Sequence, residues 1–274
     1  MGIEQDLENF VKKNQIAARD MARQQQQAHK LVIYGESHVV LSRKASYFAQ
    51  MIRDGVSRYH ASEHFLNSQE LGDKVEDYLK GRIKKSALPA EIQPMAQVLD
   101  AIAADTGRRG LVFSGSTAKG GGRRHATIFA NFKSSFALHK KAGRFTEQDK
   151  GHFHIGAFHG ARERLSGSEK TTTQRLIADG FDVGVVRLIV DAGGDKVDKS
   201  DDGGFVITFG EVADAEVIGT STAFDLVPVL RRAAGGSQIG VTITGSGPFS
   251  RIKPTDGSGA RPYNQYYDAI VFLP

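Results

Sequence analysis

Apolar residues along this chain fall into short runs that end at glycine or at polar residues. Leu31 to Tyr34 form such a run, and Gly35 closes it. A run of this length bounded by glycine predicts a buried strand in an α/β sheet. The same kinds of pattern predict further strands at 58–61, 110–114, 152–159, 183–190, 205–209 and 267–273.

Stretches with helical spacing of apolar side chains separate these strands. Between residues 31 and 65, a strand, a helix and a second strand have the length that a right-handed crossover unit needs. The predicted fold class is therefore α/β, with a mostly parallel central sheet flanked by helices. The helices are predicted at 3–29, 45–52, 67–109 with breaks at Pro89 and Pro94, 126–140, 171–178 and 223–232.

No repeat and no strong linker divides the 274 residues, so the sequence predicts a single domain spanning 1–274. Within that domain, residues 1–30 are expected to form an N-terminal helix and residues 66–107 a helical insertion. Residues 191–265 are rich in glycine and aspartate at their start, and they are expected to form an irregular β region.

Composition removes several classes of site. The chain has no cysteine, which excludes disulfides, thiolate zinc sites and cysteine nucleophiles. The net charge of +5 is mild, and the basic clusters at 82–85 and 140–141 lack interleaved aromatic residues. We therefore expect no nucleic-acid partner.

The hydropathy of the chain gives an expectation for the cellular location of the protein. No apolar run approaches the roughly 20 residues of a membrane helix, so no transmembrane segment is expected. Residues 1–14 are polar and charged, which does not fit a standard secretory signal. We expect a cytoplasmic protein, and the alternative is secretion into a host cell without a standard signal peptide.

Polar side chains follow two of the predicted strands. Glu36 and His38 come directly after the first strand, and Glu63 follows the second. Because parallel strands end at the same edge of a sheet, we expect the two carboxylates and the histidine to converge there. Such a group can bind a metal or share acid–base work. The alternative is a strand end whose polar residues enter solvent. His64 would point elsewhere along its strand.

Histidines also cluster in the strand predicted at 152–159. His152 and His154 share one strand face, which fits either metal ligation or an exposed pair. His159 lies beyond Gly156, at the predicted end of the strand, and is expected to project over the same edge as Glu36.

A glycine-rich loop at 115–122 carries positive charges. It lacks the Lys-Ser/Thr ending of a Walker loop, and the chain has no Gly-x-Ser-x-Gly elbow, which argues against a serine hydrolase. Lys119, Arg123 and Arg124 are expected to bind an anionic substrate group or to stabilise an oxyanion.

Five short motifs, in order, resemble one superfamily. Gly35-Glu36-Ser37-His38 resembles its Gly-Glu-x-His signature, and Glu63 stands where a second glutamate follows the next strand. The start of the helix at 124–131 keeps the spacing of an arginine and an asparagine, but it departs at His125 and Phe129. Residues 156–159 resemble a Gly-Ala-x-His signature, and 267–273 resemble the closing strand. The superfamily comprises erythromycin esterases, ChaN-like haem-binding proteins, TIKI proteases and a domain of the Pasteurella toxin.

This resemblance implies an EreA/ChaN-like fold and a set of functional residues. Glu36, His38, Glu63 and His159 would be catalytic, or would hold a divalent metal, and Arg124 would contact the substrate. The favoured hypothesis is a hydrolase, esterase-like or metalloprotease-like, that acts on a small molecule or a protein. The alternatives are a secreted effector or toxin with a host protein as its partner, and a non-catalytic protein that binds haem or a metal.

Overall fold

The predicted strands and helices take the following positions in the protein. A computed structural model describes residues 3–36, 41–63, 69–90, 92–104, 110–113, 124–164, 169–191, 215–218, 222–254 and 262–274. The strands are β1 (Ile16–Ala17), β2 (Leu31–Glu36), β3 (Tyr59–Ser62), β4 (Gly110–Phe113), β5 (Gly151–Gly156), β6 (Val183–Val190), β7 (Ala215–Ile218), β8 (Thr222–Asp225), β9 (Ile239–Thr242), β10 (Ile252–Pro254) and β11 (Ala269–Leu273). The helices are α1 (Ile3–Asn14), α2 (Ala18–Ala28), α3 (Leu41–Arg53), α4 (Gln69–Leu79), α5 (Ala96–Ala104), α6 (Arg124–Lys141), α7 (Ala157–Gly160), α8 (Thr172–Ala178) and α9 (Leu226–Ala234).

The main sheet is built around β2. Among the described residues it has eight strands in the order β1-β9-β11-β6-β2-β5-β3-β4. The strands from β11 to β4 in this order run parallel to their neighbours, whereas β9 and β1 are antiparallel at one edge. The α/β class with a mostly parallel sheet flanked by helices is therefore confirmed.

Alternating side chains of β2 divide the core into two layers. Leu31 and Ile33 pack with residues of α1, α6, α8 and α9, while Val32 and Tyr34 pack with residues of α2, α3 and α5. All four side chains are fully buried, which explains why β2 reads as one continuous apolar run. We call these layers the α6 face and the α3 face of the sheet.

The N-terminal segment differs from the single helix expected at 3–29. Helix α1 ends at Asn14, and Ile16 and Ala17 then pair with Ile239 and Gly240 of β9 before α2 begins. The pairing gives the edge strand β9 a hydrogen-bonded neighbour, and the β-branched Ile16 suits this extended position. A local tertiary pairing therefore overrides the helical pattern.

The helical insertion and the irregular β region also have defined elements. Helices α4 and α5, with short 3-10 turns between them, lie between β3 and β4. In the region expected to be irregular, β10, β7 and β8 form a small antiparallel sheet. The strand predicted at 205–209 lies outside the described residues. Within the described ranges, no helix is long and apolar enough to cross a membrane.

Candidate functional site

Three of the described residues that the sequence predicts for a site lie at the carboxyl edge of the main sheet. Glu36 is the last residue of β2, Glu63 directly follows β3, and His159 lies in the short helix that directly follows β5. Arg124 is the first residue of α6 and is exposed. His38, Lys119 and Arg123 lie outside the described residues, as does His64.

Glu63 is held at the end of the neighbouring strand. Its Oε1 accepts a hydrogen bond of 2.9 Å from the backbone N–H of Gly156. Gly156 is paired in register with Glu36, so this bond joins the ends of β3, β5 and β2. The side chain is 8% exposed, and the carboxylate is therefore fixed in position at the rim of the sheet.

His159 is bonded to a second histidine. Its Nδ1 lies 3.1 Å from Nδ1 of His125, and the two rings meet edge to face with their centroids 4.5 Å apart. Their exposed fractions are 8% and 7%. Burial lowers the pKa of His125 below its ordinary value. The positive charges of Arg175 and Arg124 lower this pKa further, whereas the negative charges of Glu169 and Glu63 raise it. His125 is therefore neutral at pH 7.

The N-terminus of α6 places His125 accurately. Glu169 accepts a 3.0 Å hydrogen bond from the backbone N–H of Ala126, and Arg175 donates to the same carboxylate oxygen over 3.1 Å. Thr172 donates its hydroxyl to the carbonyl oxygen of His125 over 3.3 Å. A carboxylate at a helix N-terminus is also favoured by the helix dipole. The start of α6 is thus tied to α8, and His125 with it.

Glu36 projects into the other layer of the core. Lys44 of α3 forms an ion pair with Glu36 Oε2, and both side chains have no solvent exposure. His154 of β5 places Nε2 at 3.4 Å from Glu36 Oε1. Strand alternation places Glu36 on the α3 face with Val32 and Tyr34, whereas Glu63 interacts electrostatically with His125 of α6.

The histidines of β5 are core residues. His152 and His154 are both fully buried, which overturns the interpretation of them as an exposed pair. Nδ1 of His152 is 2.6 Å from the Ser57 hydroxyl, and its Nε2 is 2.6 Å from Nδ1 of His60. Phe48 stacks on the His152 ring at 5.1 Å. Burial, with a smaller contribution from His154, lowers the pKa of His152 to about 3.

The described part of the predicted site does not have the form of a metal centre. Within the described residues, no three His, Asp or Glu side chains are placed to hold one ion together. The Glu36 carboxylate already faces the ammonium of Lys44, and Glu63 already accepts a backbone N–H. The Glu36 and Glu63 carboxylates are therefore both engaged by groups of the protein itself.

Comparisons with known proteins bear on the fold. No family model matches the chain, and no curated protein matches it. A solved structure described as a succinoglycan biosynthesis protein is 8% identical and covers 98% of this chain and 96% of its own, with a TM-score of 0.58. At this identity the likeness shows a shared fold and nothing of activity.

A second solved structure is similar over a shorter part. The type III effector HopBA1 is 13% identical, covers 66% of this chain and 85% of its own, and has a TM-score of 0.43. Membership of the superfamily that the motifs resemble stays a prediction. The effector and haem-binding hypotheses also stay predictions.

Two residues of the candidate site were not identified from the sequence. The motif comparison gives His125 only as a departure from an aspartate, and no sequence motif singles out Lys44. Both occupy helix positions that point into the core, at three, four and seven residues from apolar side chains. A charged or titratable residue on the apolar face of a helix is the signal that could have revealed them.

Proposed function

We propose that the protein is a hydrolase whose site comprises Glu63, His125 and His159 at the carboxyl edge of the sheet. The observation that carries the proposal is the Nδ1–Nδ1 hydrogen bond between His125 and His159 beside the fixed Glu63 carboxylate. A neutral imidazole with a partner that orients it, next to a carboxylate, is a common arrangement for general-base catalysis.

The proposed reaction starts with a water molecule. A histidine of the pair removes a proton from water, and the hydroxide attacks an electrophilic carbonyl or phosphoryl centre. Glu63 stabilises the imidazolium that forms, and Arg124, exposed at the start of α6, binds negative charge on the substrate. The substrate is a small molecule or a protein that carries an ester, a peptide bond, or a phosphoryl or ribosyl group. A positioned general base of this kind contributes a factor of about 10²–10⁴ to the rate.

Glu36 has a supporting place in this proposal. Its carboxylate is engaged by Lys44 in the α3 layer, while its backbone is paired in register with Gly156, which donates to Glu63. We therefore assign Glu36 the role of fixing the end of the central strand against α3, and we assign the proton transfers to the histidines.

The test compares variants on a panel of chromogenic substrates. Initial rates are measured with p-nitrophenyl esters, p-nitrophenyl phosphates and peptide p-nitroanilides for the unmodified protein, Glu63→Gln and His159→Leu. We expect at least one bond class to be hydrolysed, with a rate about 100-fold lower in both variants.

His139→Leu is the matched control for this test. His139 lies on α6, like His125, and is 6% exposed, but it is near the other end of the helix. Its replacement is expected to leave the rates within about twofold. If the unmodified protein and His159→Leu hydrolyse every substrate at equal rates, the proposal is wrong.

A further inference from the structure

We propose that His125 and His159 act as one proton-sharing pair that offers the substrate an Nε2 lone pair on one ring and an Nε2–H on the other. His125 is thereby a second catalytic residue, and it also fixes the tautomer of His159. This inference rests on the proposed hydrolase and adds to it the residue that supplies the acid.

The hydrogen bond between the two rings requires that they have opposite tautomers. The two rings meet through their Nδ1 atoms at 3.1 Å, so one Nδ1 carries a proton and the other accepts it. In a neutral ring with Nδ1–H, Nε2 has a lone pair. In a neutral ring that accepts at Nδ1, Nε2 carries the proton. Two neutral rings bonded in this way therefore have opposite tautomers.

The surroundings favour the neutral state of the pair. The rings are 7% and 8% exposed, and burial penalises a charged imidazole. The two arginines that act on His125 also oppose a positive charge there, and their effect runs against that of Glu63 and Glu169. A resting pair with one shared proton in the Nδ1–Nδ1 bond is the state that results.

The site also holds the pair in this orientation. The backbone of His125 is fixed through Thr172, and the following residue is fixed through Glu169. On the other side, Gly160 brings α7 close to β2, where an added Cβ would lie 3.3 Å from the Cα of Gly35. Each ring is therefore carried by an element that packs closely, which is what a preorganised acid–base pair requires.

In one reaction the pair takes up one proton and releases one proton. The ring with the Nε2 lone pair takes a proton from water while the hydroxide forms its bond to the substrate. That ring passes its Nδ1 proton across the shared hydrogen bond. The second ring then gives its Nε2 proton to the leaving oxygen or nitrogen as the scissile bond breaks. Both rings end neutral, with their tautomers exchanged, and proton exchange with solvent restores the starting state.

The first experiment reads the tautomers directly. Long-range ¹⁵N–¹H NMR spectra of the histidine-labelled full chain are recorded at pH 7.5, and the two rings are assigned by the signals lost in His125→Leu and His159→Leu. We expect one ring protonated at Nδ1 and the other at Nε2. Two rings with the same tautomer, or a doubly protonated ring, would overturn the inference.

The second experiment separates the positioning of His159 from folding. In His125→Asn, the amide can still bond to Nδ1 of His159 but has no second ring nitrogen. We expect this variant to keep the His159 tautomer, and to lose about 100-fold in kcat with KM within about threefold. His125→Leu is expected to lose both the tautomer and the activity, and His139→Leu neither. An unchanged kcat in His125→Asn would contradict a catalytic role for His125.

The outcomes distinguish a failure of the proposed hydrolase from a failure of the proposed histidine pair. Opposite tautomers in a protein that hydrolyses none of the panel would refute the hydrolase and leave the pair intact. Hydrolysis by a protein whose two rings share one tautomer would support the hydrolase and refute the pair.

Discussion

Lys44 carries its charge at a position where neither its side chain nor that of Glu36 is exposed to solvent. Removing one partner of a buried ion pair leaves the other charge in a medium of low dielectric constant, at a cost of about 3–5 kcal/mol. We therefore predict that Lys44→Met lowers the free energy of unfolding by this amount, measured by urea denaturation at pH 7.5. The double variant Lys44→Met/Glu36→Gln should recover most of the loss, because no charge is then left buried.

An exposed ion pair provides the comparison for Lys44. Lys133 bonds to Asp179 over 2.7 Å, with side chains 44% and 31% exposed. Lys133→Met should cost about 0.2–1 kcal/mol. A loss of similar size in Lys44→Met would show that the buried pair is no more important than the exposed one.

His152 links the stability of the fold to pH. Its pKa is about 3 in the fold, against an ordinary value of 6.5, because burial disfavours the charged ring. Between these two pH values the unfolded chain binds a proton that the folded chain does not, so stability falls as pH falls below about 6.5. Above that pH both states are neutral at this residue.

Replacing His152 should therefore flatten the acid side of the stability curve. In His152→Gln we expect the slope between pH 6 and 4 to decrease by up to one proton, or about 1.4 kcal/mol per pH unit. Urea unfolding at several pH values measures this slope in the unmodified protein and in the variant. Parallel curves for the two proteins would contradict the assignment of a neutral buried ring.

Helix α7 shows how a single element fixes the candidate site. A methyl group on Gly160 would lie 2.8 Å from Cγ2 of Ile155 and 3.1 Å from Cγ2 of Ile33, so α7 or the sheet must shift. We predict that Gly160→Ala costs about 1–3 kcal/mol of stability. It should also lower the hydrolysis rate, because His159 is the preceding residue. Gly245→Ala is the control, since its methyl group would meet only Asn264, at 3.8 Å. Equal losses in the two variants would contradict this account of α7.

The helices also show what a sequence pattern leaves out. Apolar periodicity predicts most of α6, but it does not single out His125, which lies three and seven residues before the buried Ile128 and Phe132. Its partner His159 is distant in sequence, and only the tertiary fold brings the two rings into contact. Spacing identifies the face of a helix, whereas a contact between two elements depends on the tertiary packing.

At the scale of the whole molecule, elements with a strong local sequence pattern can be predicted, whereas strand pairings between distant segments cannot. The nearly continuous apolar run of β6, which only Arg187 interrupts, matches its predicted bounds of 183–190, because a strand buried on both faces is apolar along most of its length. The antiparallel edge formed by β9 and β1 had no such signal, since β1 has only two residues. The sequence located Glu36, Glu63 and His159 at one edge, but not on which face of the sheet each side chain lies. That assignment needed the register and the helices packed on each side.

The N-terminal helices test whether the chain unfolds as one unit, as the single domain predicted from the sequence requires. Leu7 of α1 is fully buried in the same layer as Ile33 and Val185 of the sheet. Replacing it with alanine should cost about 2–5 kcal/mol. If α1 and the sheet are cooperative, Leu7→Ala lowers hydrogen-exchange protection equally in α1 and in β6. Loss of protection confined to α1 would show instead a helix that opens separately. Leu138→Ala, at a side chain 66% exposed, should change stability by less than about 0.5 kcal/mol. If Leu7→Ala lowers the protection of β6 as much as that of α1, the candidate site depends on α1, which is more than 100 residues away in sequence from His159.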